Sequence, residues 1–127
     1  MQKSLSQLLE FHLAFQRHIE LSPTNDVRTE VKEERKMLIT EETKELIEAI
    51  DSGDIKDISK EMCDVLYAVL GTAVAFGLQD KLMDVFDAVH ESNMSKLDRD
   101  GNPLIREDGK ILKSELYKKP ELEILFQ

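Results

Sequence analysis

The sequence predicts an all-α protein, an antiparallel helical bundle that closes with a small C-terminal β-hairpin. Apolar residues recur at helical spacing through most of the chain. Glycine (5) and proline (3) are scarce. The strongest turn, Asp51-Ser52-Gly53-Asp54, leaves almost no linker between the two long helical stretches it joins. The 127 residues, 41% hydrophobic and 34% charged, suffice for one domain over 1–127 with a real core. Neither a disordered tail nor a β-sandwich has this composition.

The first helix is expected over 4–20, where Leu5, Leu8, Leu9, His12, Phe15 and Ile19 follow helical spacing. His12 falls on that apolar stripe and is either a core-edge histidine or a substrate-binding residue. Leu21 to Asp26 breaks the helix with a proline and capping residues. A second helix is expected from about Asp26 to Ile50. Gly53 suits the left-handed position past its end, and Asp54 can cap the third. So short a connection makes these two helices antiparallel neighbours. From Met62 to Leu78 the only formal charge is Asp64, which predicts a helix buried on nearly all sides. Cys63, the single cysteine, is expected to be a buried, inert thiol, and it excludes an intrachain disulfide. A fourth helix is expected over Gln79–Lys96, with Leu82, Phe86, Val89, Asn93 and Lys96 on its core-facing stripe. Residues 103–106 and 110–113 flank Glu107-Asp108-Gly109 as a hairpin would. Leu122 to Gln127 differ by one residue from a viral-protease recognition site used in expression vectors, and no role is expected of them.

The chemistry is concentrated in Glu41-Glu42-x-x-Glu45 and Glu61-x-x-Asp64. Leu38, Glu42, Glu45 and Ala49 share one stripe of the second helix; Glu61, Asp64, Ala68 and Gly71 share one of the third. Glu45 lies eight residues before Gly53 and Glu61 eight after it, so the acid pairs stand level across the hairpin. An isolated EExxE is ordinarily a solvated face. Here the acids occupy an apolar stripe, the second pair sits in an apolar helix, and the turn aligns them. Four converging carboxylates repel unless cations neutralise them. Oxygen donors without His or Cys suit Mg²⁺, with Mn²⁺ as a substitute. A di-iron site would want Glu-x-x-His from two helices, and the chain offers only Asp87-x-x-His90 in the wrong one. The Asp98–Pro103 loop fails as a calcium loop because glycine comes at position four and proline at six.

A net charge of −9 and an isoelectric point near 4.8 argue against a general grip on nucleic acid. Metal ions can still invert the local field for a phosphate-bearing ligand. Met62–Leu78 is shorter than the roughly 20 residues of a membrane span, and Met1–Leu9 does not read as a signal peptide, so no membrane partner and a cytoplasmic location are expected.

The acid motif resembles the signature of the all-α nucleoside triphosphate pyrophosphohydrolases. That superfamily includes MazG, the dimeric dUTPases, the dCTPases and phosphoribosyl-ATP pyrophosphohydrolase. Phe11-His12, Ser22-Pro23-Thr24, Glu45-Leu46-x-x-Ala49-Ile50, Val89-His90-x-Ser92-Asn93-Met94-Ser95-Lys96 and Arg106–Lys110 are similar to the phosphoribosyl-ATP pyrophosphohydrolase-like branch, over residues 5 to 122.

The resemblance implies a MazG-like bundle in which Glu42, Glu45, Glu61 and Asp64 bind Mg²⁺ and Glu41 orients or deprotonates the attacking water. Asn93 and Lys96 then touch the phosphates or sugar of a nucleoside triphosphate substrate. It implies release of a nucleoside monophosphate and pyrophosphate, and a homodimer or dimer of dimers. The expected role is removal of non-canonical or excess (d)NTPs, with dUTP first and phosphoribosyl-ATP as the alternative. The competing reading is a non-catalytic helical dimer, metal-stabilised or partner-binding, for which a fifth acid such as Glu41 has no use.

Overall fold

The structure, a computed structural model, describes all 127 residues. Its order is α1 (Gln2–Ala14), α2 (Thr29–Ser52), α3 (Ile55–Ala75), α4 (Leu82–Met94), β1 (Leu104–Ile105), β2 (Ile111–Leu112) and a final 3-10 turn, Glu123–Phe126. These elements fall into two compact units, Met1–Asp80 and Lys81–Gln127. The mostly helical architecture with a small C-terminal hairpin is the one the sequence predicts. No helix is long and apolar enough to cross a membrane.

In the first unit α3 packs against both α2 and α1. Gly53 ends α2 in the left-handed region at φ 79°, and Asp54 Oδ1 accepts from the Lys56 amide at 2.9 Å, so the expected turn chemistry holds. Leu5 and Leu8 of α1, Val31 and Ala49 of α2, and most of Ala68–Ala75 of α3 are buried. The 15–28 segment is tied to the end of α3: the Glu20 amide donates to the Val74 carbonyl at 3.2 Å and the Thr24 amide to that of Phe76 at 3.0 Å. Gly77, at φ 73°, lets this happen, because a Cβ there would lie 2.1 Å from the Ser22 carbonyl oxygen.

Several boundaries correct the sequence reading. α1 stops at Ala14, not residue 20. The chain reverses at Gln16 (φ 55°), the Arg17 amide donates to the His12 carbonyl, and Ile19 belongs to the loop. α2 begins at Thr29 rather than Asp26, since the Asp26 amide is taken by Thr24 Oγ1 in a local turn. α3 is buried only from Ala68 onward. Met62, Leu66, Tyr67 and Val69 are each more than 40% exposed, and Cys63 is exposed rather than buried. The covering helices reach one side of that half of α3 and leave the other open.

In the second unit, segments that follow α4 close around its C-terminus. Ser92 Oγ donates to the Lys118 carbonyl at 2.7 Å, and Ser114 Oγ to that of Leu97 at 2.8 Å. α4 is shorter at both ends than the 79–96 expected. Its supposed core stripe is largely open, with Phe86, Val89 and Asn93 exposed; Ser92 is its buried residue. β1 and β2 pair antiparallel as Leu104↔Leu112 and Ile105↔Ile111, turned by Gly109 at φ 89° and an Arg106–Asp108 ion pair.

Candidate metal and nucleotide site

α2 contributes Glu42 and Glu45, and α3 contributes Glu61 and Asp64. One ligand atom from each lies within 4.8 Å of every other. The level alignment expected from the turn is therefore present. Glu42, Glu61 and Asp64 are half-buried and Glu45 is exposed. Glu42 Oε2 and Glu61 Oε2 are buried without a hydrogen-bond partner. Crowding by Glu42, then by Glu61, with desolvation and a hydrogen bond to Glu61, pushes the Glu45 carboxyl above its ordinary value.

The cation facing this cluster is Lys60, which the sequence reading missed. Its Nζ lies 2.7 Å from Asp64 and 3.4 Å from Glu61, and those bonds raise its pKa. The signal was available, because Lys60 and Asp64 are an i, i+4 pair. Lys60 is exposed and leaves the two buried oxygens unmet. Orphaned carboxylate oxygens on facing helices, with an all-oxygen donor set, fit a hard divalent cation.

A pocket of about 240 Å³ opens beside the cage, lined by Glu42 and Asp64 together with Phe11, His12, Arg35 and Tyr67. Phe11 and Tyr67 meet edge to face at 5.3 Å, so Tyr67 both packs and walls the pocket. His12 is only 2% exposed, and its Nδ1–H donates to the His18 carbonyl at 2.8 Å. Burial, with a further contribution from Arg35, pulls the His12 pKa down. A neutral ring donating through Nδ1 carries its lone pair on Nε2.

Arg35 is the other residue the sequence reading missed. It extends the stripe of Leu38, Glu42, Glu45 and Ala49 by one step, an arginine where an apolar residue is expected. Glu41 is exposed, one turn before Glu45 and outside the four-carboxylate cluster. Asn93 and Lys96 belong to the second unit: Asn93 is exposed in the last turn of α4, and Lys96 is half-buried just beyond it.

A helical fold with a carboxylate cage on facing helices, next to a pocket, is an arrangement that could hold a divalent cation, and the family it matches is one of divalent-metal-dependent hydrolases. The family model for phosphoribosyl-ATP pyrophosphohydrolase matches residues 8–93, and the chain belongs to that family. The match spans the cage, the pocket and Asn93, and it bears out the resemblance read from the motifs. No curated protein matches the chain.

Proposed function

We propose that this pyrophosphohydrolase uses Mg²⁺ to split a nucleoside triphosphate into a nucleoside monophosphate and pyrophosphate. The observation that supports this most is the pair of orphaned carboxylate oxygens in the cage, beside a pocket with aromatic walls. Glu42, Glu45, Glu61 and Asp64 would hold the ion, with Mn²⁺ as a substitute. When bound, it supplies charge neutralisation at the phosphates and acidifies water.

The protein's own residues do the rest. Glu41 orients the attacking water and takes its proton as the P–O anhydride bond breaks and pyrophosphate leaves. Lys60, paired with Asp64, would offset part of the cage's charge while no ion is bound. Phe11 and Tyr67 wall the base, and neutral His12 offers Nε2 as an acceptor to a substrate N–H or O–H. Asn93 and Lys96, in the second unit, are assigned to phosphates or sugar by the resemblance alone. The sequence reading put dUTP first; the family match favours a phosphoribosyl-ATP-like nucleotide, which we take as the substrate to test first.

The exposed apolar residues Met62, Leu66 and Val69 on α3, with Ile47 and Ile50 on α2, are what a homodimer would cover. Light scattering on the purified chain tests this, and a monomer would contradict it. Glu41→Gln separates the enzyme from a metal-stabilised structural protein. Turnover should vanish while Mg²⁺ still raises the melting temperature. Loss of the Mg²⁺ shift would instead make Glu41 a ligand.

A further inference from the structure

The cage sits between two fixed points of the α2–α3 seam. One is the turn, where Ala49 is buried and its carbonyl accepts from the Gly53 amide at 3.1 Å. The other is Arg35, which lies seven residues before Glu42 as Ala49 lies seven after it. Between Arg35 and Ala49 no residue of α2 is buried. Apolar packing is therefore thinnest where the carboxylates of the two helices face one another, and like charges there push the helices apart.

Arg35 supplies a polar tie at the open end of this stretch. It is 7% exposed, and its guanidinium reaches across to α3. Nη2 donates to the Ala68 carbonyl at 2.9 Å and Nε to Thr72 Oγ1 at 3.1 Å. Thr72 Oγ1 in turn donates to the same Ala68 carbonyl at 2.8 Å, which closes the three groups into a ring. Outside the cage, the two arginine bonds are the side-chain hydrogen bonds that join α2 to α3. Ala68 lies one turn after Asp64, on the stripe that carries Glu61 and Asp64. The tie thus joins the two acid-bearing stripes themselves. Gly71 gives it room, since a Cβ there would stand 2.5 Å from Nη2.

Both acceptors are neutral, so a charge is kept buried at a desolvation cost that an apolar residue would not have. The fork gives the reason. A planar guanidinium meets two acceptors at a fixed spacing and orientation, which an ammonium group on a flexible stem does not.

We propose that Arg35 is a positioning residue for the metal site: through the Ala68 carbonyl and Thr72 it holds α2 and α3 at the spacing at which Glu42, Glu45, Glu61 and Asp64 close on a divalent cation. This rests on the cage being a metal site. Arg35 acts here through the helix spacing and not through contact with the ion. Its charge works the other way, because a cation on the seam repels a divalent ion. Losing the fork and losing the charge therefore move metal affinity in opposite directions.

The test is Mg²⁺ binding to the full chain by titration calorimetry, without nucleotide and well below the melting temperature. Arg35→Lys keeps the charge and loses the fork; Thr72→Val keeps the arginine and loses one acceptor. Each should weaken Mg²⁺ binding roughly tenfold, the lower end of what loss of a supporting group costs at metal sites. Thr72→Ser should restore it. Val27→Ala, a truncation of a buried residue outside both helices, should lower the melting temperature and leave Mg²⁺ affinity unchanged.

Wild-type affinity in Thr72→Val, or tighter binding by Arg35→Lys, overturns the proposal. So does an equal loss in Val27→Ala, which would make the effect a general softening of the fold. If Arg35→Lys does not fold, the pair Thr72→Val and Thr72→Ser decides alone. A wild-type chain that takes up no Mg²⁺ would sink the metal reading and the tie together. Wild-type uptake that both variants share would sink the tie and keep the cage.

Discussion

The two halves of one stripe on α2 carry opposite, unmet charges. At Glu42 and Glu45 the carboxylates face Glu61 and Asp64, and two buried oxygens have no partner. Two turns earlier, Arg35 is buried and forms no ion pair, although Glu34 is near enough to act on its charge. The two do not pair, because the Arg35 fork is held by the Ala68 carbonyl and Thr72 Oγ1. A single helix therefore presents an acid site and a basic site in fixed register. A metal–nucleotide complex of the kind proposed above, which carries both a cation and anions, would answer both. Surface charge pairs such as Lys36–Glu33, mostly exposed, show the contrast. They satisfy themselves and ask for nothing.

Removing the acid half should have the largest effect. Glu61→Gln or Asp64→Ala should lower pyrophosphate release by more than the roughly 10–100-fold that loss of a supporting partner costs. The same variants should shrink the Mg²⁺-dependent rise in melting temperature. An unchanged shift in calorimetry would count against the cage.

Disturbing the basic half through its packing comes next. Gly71→Ala forces a methyl against Arg35 and His12, and overpacking of this kind costs about 1–3 kcal/mol. Urea denaturation should show a lower midpoint with an unchanged slope. A neutral result would mean that Arg35 is free to move aside.

A pH dependence sharpens the comparison further. The His12 pKa is lowered from 6.5 in the fold, so the native state binds fewer protons there than the unfolded chain. The stability this group contributes is complete above pH 6.5 and is lost as pH falls below it. Melting temperatures from pH 7.5 to 5 should fall more steeply for the wild type than for His12→Gln. Parallel curves would show that His12 protonates freely.

The smallest effect belongs to Glu45, whose pKa is raised above 4.5. Here the native state binds more protons, so the metal-free protein should lose stability as pH rises through that raised value. Glu45→Gln in EDTA should flatten the trend, and Mg²⁺ should mask it in the wild type.

How much of this was legible in the sequence follows the same division. The acid half was readable, because four carboxylates at helical spacing around a defined turn must converge, and converging carboxylates call for a cation. The alignment about Gly53 needed only the rise of a helix. Arg35 was not read, although it continues the same stripe, since a lone arginine within a charged helix is ordinarily solvated. Its burial depends on the chain reversing at Gln16 and on Gly71 leaving room, and neither is a local signal. The excess burial assigned to Met62–Leu78 and to the α4 stripe has one cause. Apolar periodicity marks a face that wants cover, and it does not say whether the cover comes from the same chain.

The most direct measurement is pyrophosphate release from a panel that includes phosphoribosyl-ATP, ATP, dUTP and the other (d)NTPs, with Mg²⁺ and with EDTA. The account predicts metal-dependent release, abolished by EDTA and greatest for phosphoribosyl-ATP. No release from any member, with Mg²⁺ still raising the melting temperature, would contradict it and leave the cage as a structural metal site.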